Sequence, residues 1–329
     1  MKLTEDQKAT IVERMQEYVA HMDITGDSKT YSRNKLAKDA KVNIAYIDAM
    51  ITGLITGKFV FNNTVIKDLY FNRIAKFIGY ELDNKYWRAF ETEQYLDIEN
   101  DFIEAKSGST AKSIIGATGS GKTYAIQKMR DKYPMGSFII TCANDFNLRD
   151  FIRYIAIEIG VPVSDEMSQS RIRRAIETKL KFLAECNVKP ILVFDEAENL
   201  KLAAWGRIKA LYDSLKGQCA FMVLGTPNWH RKIKNMNDTE KGIAPQIYSR
   251  FLAGSKTKFL GEIDSSEISN ICKEIGVNNQ YVINRICKTV TNYRDLNDTL
   301  VSLQRAAEIQ GCEIDLDLYK REFENLNTI

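Results

Sequence analysis

The chain has 329 residues, of which 44% are hydrophobic and 27% are charged. These proportions are typical of a soluble globular protein, and the length suffices for two or three domains. A formal net charge of +3 excludes a polycation. No apolar run approaches the roughly 20 residues that span a bilayer, and the first ten residues are charged where a signal peptide is apolar. We therefore expect a cytoplasmic protein with no membrane partner.

The six cysteines are scattered without a C-x-x-C pair, and only two histidines are present. This excludes a zinc-ligand cluster and favours reduced thiols. The basic surplus lies at the N-terminus, because residues 1–90 carry 14 Lys and Arg against 11 Asp and Glu. Such an asymmetry points weakly to nucleic acid at that end.

Residues 4–22 predict the first helix. Thr4 and Gln7 have the spacing of a capping box, and apolar residues recur on one face: Ile11, Val12, Met15, Tyr18, Val19 and Met22. A turn region follows at 23–32. Residues 33–58 then predict two short helices separated by a tight turn, and residues 62–80 predict another amphipathic helix.

The two short helices have the pattern of a helix-turn-helix DNA-binding unit. Apolar residues anchor both helices and the turn: Leu36, Ala37, Ala40, Val42, Ile44, Ile47 and Ile51. Lys41 occupies a turn position that favours glycine, so we expect left-handed backbone there. Asn43, Tyr46 and Asp48 are expected to face outward, and Lys41, Asn43 and Tyr46 are candidate DNA contacts. A small helical bundle for protein contacts is the alternative.

From about residue 111 the pattern changes to short apolar runs that alternate with helices. The runs are "SII", "SFIITC", "PILVF", "CAFMVL" and "TKFL", and this alternation predicts a parallel sheet covered by helices. After residue 263 three helical segments follow, at 265–276, 279–291 and 293–310. The predicted fold class is α/β, with domains at residues 1–89, 90–262 and 263–329.

The stretch "GATGSGKT" at 116–123 has the spacing G-x-x-x-x-G-K-[ST] and lies between a predicted strand and a predicted helix. In that context it predicts a phosphate-binding loop, and a chance glycine-rich turn is the alternative. Lys122 is expected to reach the β- and γ-phosphates and Thr123 to ligate Mg²⁺. The remaining loop residues are expected to surround the phosphates: Gly116, Ala117, Thr118, Gly119, Ser120 and Gly121.

A second motif, "PILVFDEAENL", is a buried-strand pattern that ends in Asp195 and Glu196. An acid at this strand end can hold the hydrated Mg²⁺, which we assign to Asp195. Glu196 is then placed to polarise the attacking water as a general base. The alternative interpretation is that the two residues are solvated acids at the start of a helix.

Three further polar positions follow in chain order. Thr226 and Asn228 come after the strand "CAFMVL" and could contact the γ-phosphate or orient the water. Arg250 precedes the last strand, where an arginine can be offered to a neighbouring subunit's nucleotide; an arginine that is only exposed at the surface is the alternative. Arg294 lies on a C-terminal helix from which it could touch phosphate.

With these motifs the sequence resembles the AAA+ ATPases, and more narrowly the MuB-like ATPases that select targets for transposons. "FETEQY" is similar to the lead-in segment, "GATGSGKT" to the phosphate loop and "VFDEAENL" to the acidic strand end. "LGTPN" falls at the first sensor, "YSRF" at the arginine finger and "YRDLNDTL" at the second sensor. The resemblance implies an AAA+ P-loop core with a parallel sheet, a C-terminal helical lid and an N-terminal all-α helix-turn-helix domain.

The same resemblance implies an ATPase that uses ATP and Mg²⁺, forms a homo-oligomer or helical filament on double-stranded DNA and recruits a transposase subunit. Little sequence preference is expected, and Arg171 lies near a core loop that is expected to face DNA. Two other functions stay open: a helicase loader of AAA+ type, and an ATP-switched helix-turn-helix transcription regulator.

Overall fold

A computed structural model describes residue 3, residue 87 and residues 5–25, 33–78 and 90–324. The chain divides into two compact units, residues 1–88 and 89–329. The predicted domain boundary at residue 89 and most of the predicted turn at 23–32 lie outside the described residues.

In its described residues the first unit contains four helices: α1 (Glu5–Thr25), α2 (Arg33–Asp39), α3 (Ile44–Thr56) and α4 (Asp68–Phe77). The apolar residues predicted to anchor them form its core, since Ile11, Met15, Leu36 and Ile47 are fully buried. Among the described residues, therefore, the apolar periodicity places the first three helices correctly; the side chain of Met22 lies outside them.

The prediction for 62–80 is wrong at its start. Two short antiparallel strands, β1 (Val60–Phe61) and β2 (Thr64–Val65), lie before the helix, so the N-terminal unit is not made of helices alone. Asn62 and Asn63 join the strands with φ values of 47° and 62°. Asparagine tolerates this left-handed backbone, which two-residue hairpins require. The chain therefore turns at the asparagines, and α4 begins only at Asp68.

The turn between α2 and α3 has the predicted left-handed residue. Lys41 has a φ of 54°, and its carbonyl oxygen accepts a 3.0 Å hydrogen bond from Nη1 of Arg73 in α4. The N–H of Val42 donates to the carbonyl of Ala37 at 2.9 Å. These two bonds offset the backbone strain at a position where glycine would be unstrained.

The second unit is built on a sheet of five parallel strands: β3 (Ala111–Ile115), β4 (Ser137–Thr141), β5 (Ile191–Asp195), β6 (Ala220–Gly225) and β7 (Thr257–Phe259). All five predicted strands are confirmed. Their order in the sheet is β4-β5-β6-β3-β7, so β3 lies beside β6 although more than a hundred residues separate them. The carboxyl ends of β3, β6 and β5 therefore share one edge, where ligands bind in open α/β sheets.

Helices cover both faces of this sheet. Before and between the strands lie α5 (Glu93–Gly108), α6 (Lys122–Lys132), α7 (Leu148–Glu158), α8 (Gln169–Glu185), α9 (Leu202–Leu215), α10 (Pro227–Asp238) and α11 (Ala244–Ile247). One apolar cluster joins the sheet to α5 and α6, and a larger one joins it to α7, α8, α9 and α10. A π-helical turn, Tyr248–Leu252, follows α11.

After β7 the described part of the chain is helical, as predicted: α12 (Ser265–Glu274), α13 (Gln280–Thr289), α14 (Tyr293–Gln310) and the short α15 (Leu316–Tyr319), followed by a π-helical turn at Lys320–Glu324. Their apolar faces pack together through residues such as Ile271, Ile286 and Leu300, all nearly or fully buried. Within the described residues, none of the helices has the length and apolar character needed to cross a membrane.

Candidate nucleotide site

The predicted phosphate loop connects β3 to α6 at the shared strand edge. The N–H of Gly116 donates to the carbonyl of Gly225 at 3.1 Å, which ties the loop to the end of β6. Gly119 and Gly121 both have a φ of 81°, a conformation that favours glycine. Gly121 is the N-cap of α6 and has no capping side chain. The first N–H groups of α6 are thus left for an anion, with the positive end of the helix dipole behind them.

Lys122 is folded back onto the loop. Its Nζ donates to the carbonyls of Gly116 (2.7 Å) and Ala117 (2.8 Å) and to Oγ of Ser120 (3.2 Å). The pKa of Lys122 is lowered, chiefly because burial penalises its charged form, and further because Arg294 is near. Glu198 and Asp195 act in the opposite direction. Asp195, Glu198 and Arg294 therefore all lie within electrostatic range of the loop lysine.

Asp195 and Glu196 lie at the end of β5, beside β6. Asp195 is 2% exposed, and its carboxylate accepts a 2.9 Å hydrogen bond from the N–H of Glu196. Glu196 has a φ of 54°, a left-handed conformation that costs a residue with a Cβ about 1–2 kcal/mol. Strained backbone of this kind is concentrated at functional sites. Oε2 of Glu196 accepts a 3.1 Å bond from Nδ2 of Asn199, which also donates to the carbonyl of Cys142.

Glu198 is a site residue that the sequence did not indicate. It follows in the short 3₁₀ turn Ala197–Asn199 and interacts with Lys122. The pKa of Glu198 is raised, mainly because surrounding protein atoms crowd its carboxylate although the residue as a whole is exposed, and also because Glu196 and Asp195 are close. The only signal in the sequence is its position two residues after Glu196.

Thr226 follows β6 at the same edge and is the N-cap of α10. Its Oγ1 accepts a 3.4 Å bond from the N–H of Trp229, so the hydroxyl serves the helix in this conformation. Asn228 is exposed on the first turn of α10. A Cβ on Gly225 would lie 2.5 Å from the ring of Trp229, which shows how closely the start of α10 packs on the strand end.

The N-terminus of α14 lies directly over the phosphate loop. A Cβ on Gly119 would come within 2.4 Å of Oδ1 of Asn292, and a Cβ on Gly121 within 3.7 Å of Tyr293. Tyr293 donates from its hydroxyl to Oε2 of Glu267 at 2.6 Å, and burial, then this carboxylate, raise its pKa. Asn292 and Tyr293 were missed, because a contact between residues so far apart in the chain leaves no local pattern.

Arg250 lies in the π-helical turn before β7 and is held by its own chain. Its Nε and Nη2 donate to the two carboxylate oxygens of Asp213 in α9, at 2.7 and 3.1 Å. Its Nη1 donates to the carbonyl of Gln246 at 3.1 Å. The pKa of Asp213 is lowered, first by the hydrogen bonds from Arg250. Nothing in the sequence suggested this pair.

The candidate DNA contacts lie in both units. Lys41 and Arg171 are exposed, on the turn before α3 and near the start of α8. Asn43 is exposed but is the N-cap of α3, accepting from the N–H of Ala45 at 2.9 Å. Tyr46 differs from the expected outward position, since it is half-buried, stacks on Tyr70 with 4.7 Å between ring centroids and meets Phe61 edge-on. The hairpin supplies Phe61 and so explains the difference.

Comparison with known proteins agrees with this architecture. Residues 105–233 match the family described as AAA domain. A search of curated proteins gives no match. The fold is similar to Cdc6p of Pyrobaculum aerophilum, with a TM-score of 0.51 and 14% identity over 70% of this chain and 67% of that one.

Two proteins of Aeropyrum pernix are also similar. ORC2, solved as ADPNP–ADP complexes, gives a TM-score of 0.53 and 14% identity over 75% of this chain and 70% of that one. ORC1, solved in complex with DNA, gives a TM-score of 0.51 and 12% identity over 74% of this chain and 68% of that one. At these identities the likeness concerns the fold. Together with the domain match it confirms the AAA+ P-loop fold that the motifs predicted.

Proposed function

We propose that this AAA+ protein binds and hydrolyses ATP, assembles on double-stranded DNA and there selects a target for a DNA transposase. The observation that carries the ATPase part is the convergence of four segments at one sheet edge. The phosphate loop, the acidic end of β5, the polar end of β6 and the N-terminus of α14 come from distant parts of the chain. Such a convergence favours a nucleotide over a chance glycine-rich turn.

In this proposal Lys122 and the loop N–H groups bind the β- and γ-phosphates, and Arg294 approaches them from α14. Thr123 and Asp195 would hold the hydrated Mg²⁺, since hydroxyl and carboxylate oxygens are ligands that this ion accepts. The described residues contain no group of three or more acidic, histidine or cysteine side chains that could hold a metal, and Mg²⁺ in nucleotide sites takes one or two protein ligands, phosphates and water. When bound it would neutralise phosphate charge. Glu196, exposed at the strand end, orients and deprotonates the attacking water.

Lys122→Ala tests the binding part, because it removes the cation from the loop. We expect nucleotide binding to be lost, as measured by titration with a fluorescent ATP analogue. Lys273→Ala, which removes an exposed lysine of α12, is the matched control and keeps wild-type affinity. Unchanged affinity of Lys122→Ala would refute the assigned phosphate loop.

Glu196→Gln tests hydrolysis. The amide keeps the size of the side chain and the contact with Asn199 but cannot accept the proton, so ATP should bind normally while turnover falls. With hydrolysis blocked, complexes on DNA should persist and grow into filaments visible by electron microscopy. ATP turnover by Glu196→Gln at the wild-type rate would refute the assignment of Glu196 as the general base.

The DNA and transposase parts rest on the MuB-like motifs and on the basic N-terminal unit. Arg250 would complete the site of a neighbouring copy, so ATP would drive assembly along the duplex. Contacts would be mainly to phosphates, each contributing about −0.9 to the slope of log K against log salt. DNA binding should therefore require ATP, depend weakly on sequence and weaken steeply with salt.

Fluorescence anisotropy across a salt series, followed by footprinting, separates the candidate functions. A target selector covers unrelated DNA in long tracts when ATP is present. Protection of one fixed operator without ATP would favour a transcription regulator. Co-purification with a replicative helicase instead of a transposase would favour a helicase loader.

A further inference from the structure

The turn that carries Arg250 is fixed by side chains that cap its backbone. Oγ of Ser113, a fully buried residue of β3, donates to the carbonyl of Phe251 at 2.8 Å. Oγ1 of Thr257 donates to the carbonyl of Leu252 at 2.8 Å, and Nζ of Lys256 to that of Ser249 at 2.6 Å. Three carbonyls of the π-helical turn thus accept hydrogen bonds from β3, from the residue before β7 and from the first residue of β7.

Aromatic packing fixes the same turn against α9. Phe251 is fully buried. The centroid of its ring lies 5.2 Å from that of Tyr212 and 5.8 Å from that of Trp205, both in α9. Tyr212 precedes Asp213, and Phe251 follows Arg250. The backbones that carry the carboxylate and the guanidinium are therefore held at a set distance by neighbouring residues.

The hydrogen-bond inventory of Arg250 leaves one donor on each terminal nitrogen. A guanidinium has five N–H groups. Nε and Nη2 each give one to Asp213, and Nη1 gives one to the carbonyl of Gln246. Among the described residues, one N–H on Nη1 and one on Nη2 have no partner, and a pair of such groups can bind phosphate oxygens in bidentate fashion.

The charge balance also leaves Arg250 able to attract an anion. Nζ of Lys209, one turn earlier on α9, lies 3.7 Å from Oδ2 of Asp213. The three groups together carry one net positive charge, because the carboxylate is shared by two cations. The side chains are partly open to solvent, at 27% for Arg250 and 41% for Asp213, so a partner can reach them.

We propose that Asp213 is a positioning residue for Arg250: it holds one edge of the guanidinium so that the two remaining N–H groups face the γ-phosphate of ATP bound by a neighbouring copy of this chain. The inference rests on the proposed function, in which Arg250 acts between subunits. Removing the carboxylate frees the arginine to adopt many rotamers, and misplacement by about 1 Å can cost on the order of a hundredfold in rate.

Asp213→Asn is the test, since the amide keeps the shape and loses the second acceptor and the charge. We expect kcat for ATP hydrolysis to fall about tenfold to a hundredfold, with the KM for ATP and the thermal midpoint close to wild type. Asp213→Glu restores a bidentate carboxylate and should recover part of the rate. The matched control is Asp97→Asn, which breaks a 2.8 Å ion pair with Lys258 of similar exposure and should leave kcat unchanged.

Mixed assemblies show in which subunit Asp213 acts. Lys122→Ala subunits lack a working phosphate loop but carry an intact Asp213–Arg250 pair. Added to Asp213→Asn subunits, they should restore turnover, because each intact pair serves a neighbour's site. Absence of any recovery in co-assembled mixtures, or turnover of Asp213→Asn at or above the wild-type rate, would overturn the inference; the faster rate would show instead that Asp213 restrains the arginine.

The outcome is distinguishable from failure of the proposed function. If Arg250→Ala keeps full turnover, Arg250 does not act as an arginine finger and the proposed intersubunit mechanism is refuted. If Arg250→Ala abolishes turnover while Asp213→Asn does not lower it, the finger stands and only the positioning role of Asp213 is refuted.

Discussion

Gly119→Ala is expected to destabilise the second unit by separating the phosphate loop from α14. The added methyl group would lie 2.4 Å from Oδ1 and 2.7 Å from Cγ of Asn292, closer than Cβ atoms in real proteins come to other atoms. Asn292 is the N-cap of α14, where Oδ1 accepts from the N–H of Asp295 at 3.0 Å and Nδ2 donates to its carboxylate at 2.6 Å. The cap has to move when the methyl group is present.

Two costs add in this variant. The φ of 81° at position 119 costs alanine about 1–2 kcal/mol, and loss of an asparagine cap costs about 1 kcal/mol. The free energy of unfolding should fall by about 2–3 kcal/mol. For a unit of this size each kcal/mol lowers the thermal midpoint by about 2–4 °C, so the midpoint should drop by roughly 4–12 °C.

A double-mutant cycle followed by calorimetry isolates the contact. Gly160→Ala is the matched control for backbone strain, because Gly160 has a φ of 75° and nothing within 4 Å of an added Cβ. Asn292→Ala removes the cap alone. Since both Gly119→Ala and Asn292→Ala disable the same cap, the double variant should cost about 1 kcal/mol less than the sum of the singles. Strict additivity would refute the argument that Asn292 closes over Gly119.

Two further predictions concern packing away from the site. Nζ of Lys106 donates to the carbonyls of Met135 and Lys189 at 2.8 and 2.9 Å. Because Lys106→Met leaves these acceptors without that donor, the free energy of unfolding measured in urea should fall by about 1–3 kcal/mol. Burial lowers the pKa of Lys106 to about 8 from 10.5. Between about pH 8 and pH 10.5 the unfolded chain therefore binds more protons than the folded chain. The free energy of unfolding of wild type, relative to that of Lys106→Met, should rise as pH increases from about 8 to 10.5. A difference that does not change with pH would contradict the lowered pKa. In the first unit, Tyr46→Ala should lower the free energy of unfolding by roughly 2 kcal/mol, because the stacked rings are lost. Tyr46→Phe keeps the rings and should leave stability unchanged, as should the control Tyr281→Ala, which removes a 73% exposed tyrosine. Thermal unfolding measures all three variants. A loss of DNA binding by Tyr46→Phe at unchanged stability would assign a contact to the hydroxyl.

The sheet could be predicted because buried parallel strands are continuous apolar runs. Residues 191–195 are buried throughout, and a run of that kind has no competing helical period. The site residues Lys122, Asp195 and Thr226 could be placed together because each follows such a run, and parallel strands end at one edge. The order of the strands along the sheet is not written in any local pattern.

The parts that escaped prediction are of two kinds. The hairpin before α4 had a local signal in Asn62 and Asn63, but the apolar residues after it also fitted a helix. The Asp213–Arg250 pair and the contact of Asn292 with Gly119 had no signal, because they join residues 37 and 173 positions apart. Only the packed fold decides which of several exposed acids meets an arginine.

The loop lysine links these distant contacts to ATP binding. All three donors of its ammonium group are used by Gly116, Ala117 and Ser120, so Lys122 has to exchange loop oxygens for phosphate oxygens when nucleotide binds. Burial lowers the pKa of Lys122, and a bound phosphate would favour its charged form. Asn292 sits against the same loop at Gly119. Any change in the loop at Gly119 on phosphate binding would reach the cap of α14, so we expect ATP binding to be coupled to the position of the helix that carries Arg294.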